Sequence, residues 1–469
     1  MKGWKKMITK ELATKVLKEC LTTGADFAEI FYEVKKTNAI AMVSKMIKNS
    51  DTSVITGVGI RILKDLEEAY GYTNEVNEES LMALASQLAS SYNDAPLGIE
   101  FELEFKETPK MSTITRYSKD IPNSEKTNYL SLISDAAYAH SPLIIQVMGT
   151  LTDETQEVTI FNTKGVWRKD VRNHQRISAQ AVAKDGSKME SYGDQYGGNF
   201  GVEYFDNYDW KSFGEMIAAG ALKQLEAIDI PGGVYDVVIH NAFGGVIFHE
   251  ACGHSLEATS VAKNLSVFSG KMGEKIAADC VTAIDDGTIV DEWGSAGMDD
   301  EGNDTQKNVL IKDGILTSYM IDSRNARRMG MPSTGSGRRE SYKFSPTSRM
   351  TNTYIANGES TCEEIIAATK SGIFAKKMGG GSVNPTTGEF NFSVGEGYLI
   401  EDGKITKPIK CATLIGNGKD TLLKIDMVAN NQTFGYGMCG SMSGSIPACV
   451  GQPTIRVRNM TVGGKGGKN

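Results

Sequence analysis

The chain reads as an α+β protein in two parts: an amino-terminal antiparallel sheet with helices, then a large β-rich, barrel-like domain carrying a metal-site helix. Three observations predict this. Over residues 1–229, helical stripes bracket groups of strand-length patterns, the order of a curved antiparallel sheet with helices on one face. From residue 230 to 469 the sequence turns glycine-rich, with many short strand patterns. A length of 469 residues allows two or three domains with sizeable cores.

Taken in order, Leu12, Val16, Leu17, Cys20 and Leu21 form a stripe among lysines and glutamates, so 9–23 is an amphipathic helix. Strand patterns follow at 25–35, 39–47, 53–63 and 67–73, then a helix over 78–92. The polar stretch 106–124, with Pro109 and Pro122, is a connection that divides the amino-terminal part into sub-regions of about 1–105 and 125–229. The second sub-region opens on a helix over 126–139 and continues with strands at 143–151, 157–162, 165–182 and 188–196. It ends in a helix over 210–227, which stops ahead of Pro231. Residues 237–241 read as a buried strand, and 242–248 lead into an apolar helix. Residues 465–469 form a frayed tail.

Composition narrows the function. A hydrophobic content of 40%, a charged content of 23% and a net charge of −8 describe an ordinary soluble protein, with no basic surplus for nucleic acid or a membrane. The amino-terminal stripe is broken by Lys10, Glu11, Lys15, Lys18 and Glu19, unlike a signal peptide, and no apolar run reaches about 18 residues. Seven cysteines without regular spacing fit free thiols in a reducing cytoplasm.

The chemistry concentrates in one word, His249-Glu250-Ala251-Cys252-Gly253-His254. The chain has 5 histidines, and a His-Glu-x-x-x-His word arises by chance only about 0.003 times in such a sequence. Imidazoles ligate Zn²⁺, and a neighbouring carboxylate can take a proton from an activated water. Histidines four apart lie about 40° apart around an α-helix, but five apart they diverge by about 140°. A shared ion therefore requires a π-type turn, which brings residues five apart onto one face. Gly253, lacking a Cβ, eases that distortion. An ordinary buried helix would gain nothing from hiding three such polar groups.

Two histidines need a third ligand. Cys439 lies in the Gly/Ser-rich stretch 435–447, read as a loop, and Cys449 follows closely. Cys20, Cys362 and Cys411 sit in helical or strand patterns as small buried hydrophobes. Cys252 lies inside the word and can face either way. On residue chemistry alone, Cys439 and Cys449 both remain open.

The chain resembles the TldD/PmbA metalloproteases. The resemblance rests on 248–257 (FHEACGHSLE), 314–322, 334–339 and 349–353, then on 379–385 with 388–392, and on 451–454 with 461–464. It is dense from about residue 230 onward and weaker, though consistent in element order, before that. It implies that the third ligand is the cysteine of Gly437-Met438-Cys439-Gly440, giving one Zn²⁺ per chain on His249, His254 and Cys439. Because the motif is intact, it further implies a catalytic, TldD-like subunit in the cytoplasm. Such an enzyme acts on unfolded or short peptides, bound by strand addition with weak side-chain selectivity. Its site is closed off by dimerisation, as a homodimer or with a motif-lacking PmbA-like partner, through an interface above about 2,000 Å².

Glu250 is then the general base. Tyr319, Arg338, Arg339, Arg349 and Asn352 lie in the matching segments as candidates for stabilising an oxyanion or binding substrate. Glu257, three residues after His254, is placed to support that imidazole or to be a surface charge. Two other readings compete: a metal-dependent hydrolase of a non-peptide amide, which peptide digestion would separate, and a partner-binding modulator with structural zinc, which would tolerate loss of Glu250.

Overall fold

Strands of unusual length build the amino-terminal sheet, and backbone pairing rather than unbroken apolar sequence sustains them. In the computed structural model, which describes residues 8–384 and 387–465, Glu67–Thr73, Met46–Lys64, Phe27–Val43, Ile144–Asn162 and Val166–Asp185 lie side by side, each antiparallel to the next. Lys188–Gly198 and the two-residue strand Glu104–Phe105 both pair with Val166–Asp185. The expected strands 25–35 and 39–47 prove to be one, turning at Ser44-Lys45, whose φ angles are 47° and 66°, so that Ile47 belongs to the next strand. Likewise 143–151 and 157–162 are a single strand. The polar residues that interrupt the apolar pattern are buried but partnered. Asp153 accepts from Lys126 Nζ at 2.7 Å and from Asn38 at 2.7 Å, and Gln156 donates to Glu33 at 2.8 Å. A polar residue with such partners costs a strand little.

The two faces of this sheet are chemically opposite. One carries Ala28, Ile30, Ile60, Ile62, Leu151 and Ile177 beneath the helices Lys10–Cys20, Glu78–Ala89, Asn123–His140 and Trp210–Leu225. The other carries Glu29, Glu33, Arg61, Arg168, Arg172 and His174, all nearly inaccessible to water. Phe31, Val158 and Ile160 on that face meet Met298 and Tyr342 of the carboxy-terminal half. Ion pairs join the halves: Arg61 lies 2.9 Å from Glu29 and 2.7 Å from Glu301, and Arg172 lies 2.7 Å from Asp300.

The carboxy-terminal half contains the expected barrel. Ser371–Val383, Gly233–Ile239, Ile455–Gly463, Thr413–Asn417 and Glu389–Glu401 pair in that order, and Glu389–Glu401 closes onto Ser371–Val383. Beside it a six-stranded sheet ends in the hairpin Thr433–Ser441 and Gly444–Gln452, with Thr433–Ser441 at the edge. One continuous core joins Ile239, Phe392, Leu414 and Val457 of the barrel with Ile247, Phe248, Cys252 and Leu256 of the His-Glu segment, and with Leu310 and Ile446 of the sheet.

Some expectations need correction. The segment carrying the motif is not one apolar helix. It is a chain of short turns, Ala242–Gly245, Val246–Phe248, His249–Gly253 and His254–Leu256, in 3₁₀, α, π and 3₁₀ form. Cys439 lies on the edge strand rather than in a loop, because the glycines around it pair in register with Gly444–Gln452. Cys20 is buried, but Cys362 is only half-buried and Cys411 is exposed, at a left-handed φ of 57° where the strand Lys404–Lys410 has ended. Of the expected tail, 466–469 lie outside the described residues.

Candidate metal centre

The His249–Gly253 segment is a π turn, as the five-residue spacing requires. It sets the two imidazoles with ring centres 5.0 Å apart. Gly253 has another reason for being glycine than backbone freedom. Its φ is an ordinary helical −52°, but a Cβ there would come 2.3 Å from Met350 Sδ. Cys439 approaches from the edge strand, its sulfur 3.4 Å from His254 Nε2. One donor atom from each of His249, His254 and Cys439 lies within 4.8 Å of the others. Burial pushes the Cys439 thiol up, but the two adjacent imidazoles outweigh it and hold it at about 3, a thiolate.

Neighbouring groups orient this trio. Glu250 is 23% exposed, and its Oε2 lies 3.7 Å from His254 Nε2. Glu257 Oε1 lies 3.3 Å from His254 Nδ1, on the ring edge away from Cys439. Arg349 lies 4.0 Å from the same Glu257 oxygen and donates to the Cys439 carbonyl, to Ser443 Oγ and to the Gly444 carbonyl. One arginine thus ties the cysteine strand to the carboxylate behind the second histidine.

Comparison with known proteins gives this geometry a family. Family models match residues 28–91 as PmbA/TldA metallopeptidase domain 1, 116–225 as its central domain and 232–464 as its C-terminal domain. The metalloprotease TldD homologue of Haemophilus influenzae is 37% identical over 451 residues, 94% of this chain and 93% of its own. The chain belongs to the PmbA/TldD metallopeptidase family. A metalloprotease of Methanothermobacter thermautotrophicus is 31% identical over 442 residues, covering 94% of this chain and 96% of its own. Among solved structures, TldE from Thermococcus kodakarensis superposes with a TM-score of 0.74 at 19% identity, over 97% of this chain and 98% of that one. A Thermotoga maritima protein called a modulator of a DNA gyrase superposes at 0.78 and 22% identity, over 96% and 99% of the two chains.

A metallopeptidase needs a metal, and the trio fits one. A thiolate and two imidazoles are a donor set for borderline-soft divalent ions. His249, whose Nδ1 is buried without a hydrogen-bond partner, spends no side-chain hydrogen bond on the fold among the described residues and is free to ligate. The rival Cys449 is not with the histidines. It is buried on the neighbouring strand, donates to Glu292 Oε2 at 3.6 Å, and is held well above its ordinary range by burial and that carboxylate.

The remaining candidates of this metallopeptidase separate. Tyr319 is buried and donates to the Phe268 carbonyl at 2.7 Å. Asn352 accepts from Gly294 N at 2.9 Å and donates to Ser295 Oγ and the Asp286 carbonyl. Both spend their polar atoms on the fold. Arg339 belongs to the junction between the halves, paired with Glu29. Arg338 faces a cavity of about 290 Å³ with Arg172, His174 and Arg176. Those last three were not singled out from the sequence, although Arg168, Asp170, Arg172, His174 and Arg176 recur at every second position, the pattern of one strand face. A wider cleft, about 770 Å³, opens between Gly193–Tyr196 and Phe434–Tyr436. The two cavities flank the edge strand that carries Cys439, one at Phe434–Tyr436 and the other at Met438.

Proposed function

We propose that this chain is a zinc-dependent peptidase of broad specificity, acting on unfolded or short peptides, with His249, His254 and Cys439 as ligands and Glu250 as general base. The observation that carries the reading is the π turn: it brings two histidines of one segment onto a buried thiolate from another sheet, with a part-exposed carboxylate beside them. His249, His254 and Cys439 would hold zinc by three protein ligands, the number typical of a catalytic rather than a structural site. Zinc held there would supply Lewis acidity, to polarise a scissile carbonyl and to acidify a water molecule. Glu250 accepts the proton of that water and returns it to the leaving amine. Glu257 holds the His254 ring so that Nε2 faces the site, and Arg349 fixes the strand that delivers Cys439. Extended peptides lie in the cleft along the edge strand, where backbone pairing selects for unfolded chains rather than for particular side chains. A dimer, with itself or with a motif-lacking PmbA-like partner, closes the cleft against folded proteins. No helix among the described residues is long and apolar enough to cross a membrane, and a net charge of −8 gives no reason to expect nucleic acid as a partner.

Elemental analysis with a peptide digest tests the reading. About one zinc per chain and hydrolysis of an unfolded peptide are expected, with Cys439→Ala losing its zinc on dialysis. Full zinc occupancy in Cys439→Ala would remove that cysteine from the ligand set.

A further inference from the structure

We infer that the 290 Å³ cavity beside Met438 is a carboxylate-binding subsite, which accepts the C-terminal carboxylate or an acidic side chain of the peptide. The inference rests on the peptidase reading above and deepens it. The cavity lies between the strand Val166–Asp185 and the hairpin that carries Cys439, and Met438, one residue before the cysteine, is part of its wall. Its acids are all engaged. Asp153 pairs with Lys126 at 2.7 Å, Glu154 with Lys35 at 3.6 Å and Asp300 with Arg172 at 2.7 Å, while Glu340 accepts from Ser445 N at 2.7 Å.

Its cations are not all engaged. Arg338 is 7% exposed, makes one hydrogen bond, to the Met350 carbonyl, and has no carboxylate within 4.0 Å among the described residues. Burial holds its guanidinium down at about 10 against the pull of the more distant Asp300. Arg176 likewise has no such partner and lies over the Trp293 ring at 5.3 Å. His174 is no cation here: it donates through Nε2 to the Trp293 carbonyl at 3.0 Å and is held neutral by burial, so the free donors are those of the two arginines.

A buried guanidinium with no carboxylate in contact is costly to keep, and a planar carboxylate is the anion its fork of donors matches. The volume sits at the lower end for small-ligand pockets, the scale of one residue rather than a cofactor. Met438 and Cys439 are neighbours on the edge strand with side chains on opposite faces, so a peptide that reaches both the subsite and the trio passes around that edge, a span of a few extended residues.

Four matched peptides test this on the zinc-loaded full chain: C-terminus free or amidated, and Asp/Glu present or replaced by Asn/Gln. Removing the recognised carboxylate should lower kcat/KM about tenfold or more, mainly through KM. Loss on amidation assigns the terminus, and loss on Asp/Glu replacement assigns the side chain. Arg338→Gln should bring the ratio to about one, with Arg338→Lys restoring part of it. If Arg338→Gln does not fold, Arg176→Gln should still shrink the ratio. Binding of the same peptides to Glu250→Gln protein, by calorimetry, gives a readout independent of turnover. Equal binding and equal cleavage of all four overturns the subsite and leaves the peptidase reading intact. Selective binding without any cleavage by the wild type supports the subsite and overturns the peptidase reading.

Discussion

Two buried polar regions sit close together in this molecule, and they are solved in opposite ways. At the junction between the halves, Arg61 faces Glu29 and Glu301, Arg339 faces Glu29, and Arg172 faces Asp170 and Asp300. Every one of these guanidiniums has a carboxylate. Around the edge strand, by contrast, neither Arg338 nor Arg176 has a carboxylate within 4.0 Å among the described residues. The joint is not saturated either, since Nε and Nη1 of both Arg61 and Arg339 are buried without hydrogen-bond partners; what separates the two regions is a carboxylate in contact. The difference runs through one segment, since Arg338 and Arg339 are neighbours in sequence and fall on opposite sides of it.

That contrast can be broken by mutation. The largest effect should come from Glu250→Gln: peptide hydrolysis falls on the order of 10³-fold or more while metal content and unfolding midpoint stay at wild-type values. Comparable turnover would place Glu250 outside the chemistry. Next, Arg61→Ala leaves Glu29 and Glu301 buried with less counter-charge and should cost about 3–5 kcal/mol in urea unfolding. An unchanged midpoint would mean the junction does not depend on its pairing.

A smaller change is expected of Glu257→Gln, which removes the charge behind His254. Metal affinity, titrated against a chelator, should weaken about 10–100-fold. Retention of full affinity would reduce Glu257 to packing.

The remaining effect concerns pH. Burial, with Arg338 and Arg172 nearby, lowers His174 from 6.5 to about 3. Between these values the unfolded chain binds a proton that the folded one does not, so the contribution of neutral His174 is present above pH 6.5 and is lost as pH falls toward 3. Its share of the slope is up to about 1.4 kcal/mol per pH unit. His174→Gln should flatten the acid limb of unfolding stability between pH 4 and 6. An unaltered limb would show that His174 is protonated in the folded state.

The sequence was most informative where geometry admits few solutions. Five-residue spacing of two histidines on one ion requires a π turn, and the turn is there. Barrel, sheet and helix order were likewise legible, because apolar periodicity follows burial. The same periodicity misled within the long strands, where Asn38, Asp153 and Gln156 are buried through partners far along the chain. Arg338 stood among the candidates while His174 and Arg176 did not: they lie on a strand more than 160 residues earlier, and only the docking of sheet on hairpin brings them together.

The third donor stands 185 residues after the second histidine. While the chain is being synthesised at roughly 5–20 residues per second, some 10–40 seconds therefore separate the two. Throughout that interval the ribosome carries a two-histidine fragment with no thiolate to complete it. Cys439 then comes ahead of Ile455–Gly463, the strand that joins the barrel to its remaining members. On the proposed ligand set, a metal site that depends on so late a residue stays incomplete while the emerging chain beside it is still unfolded.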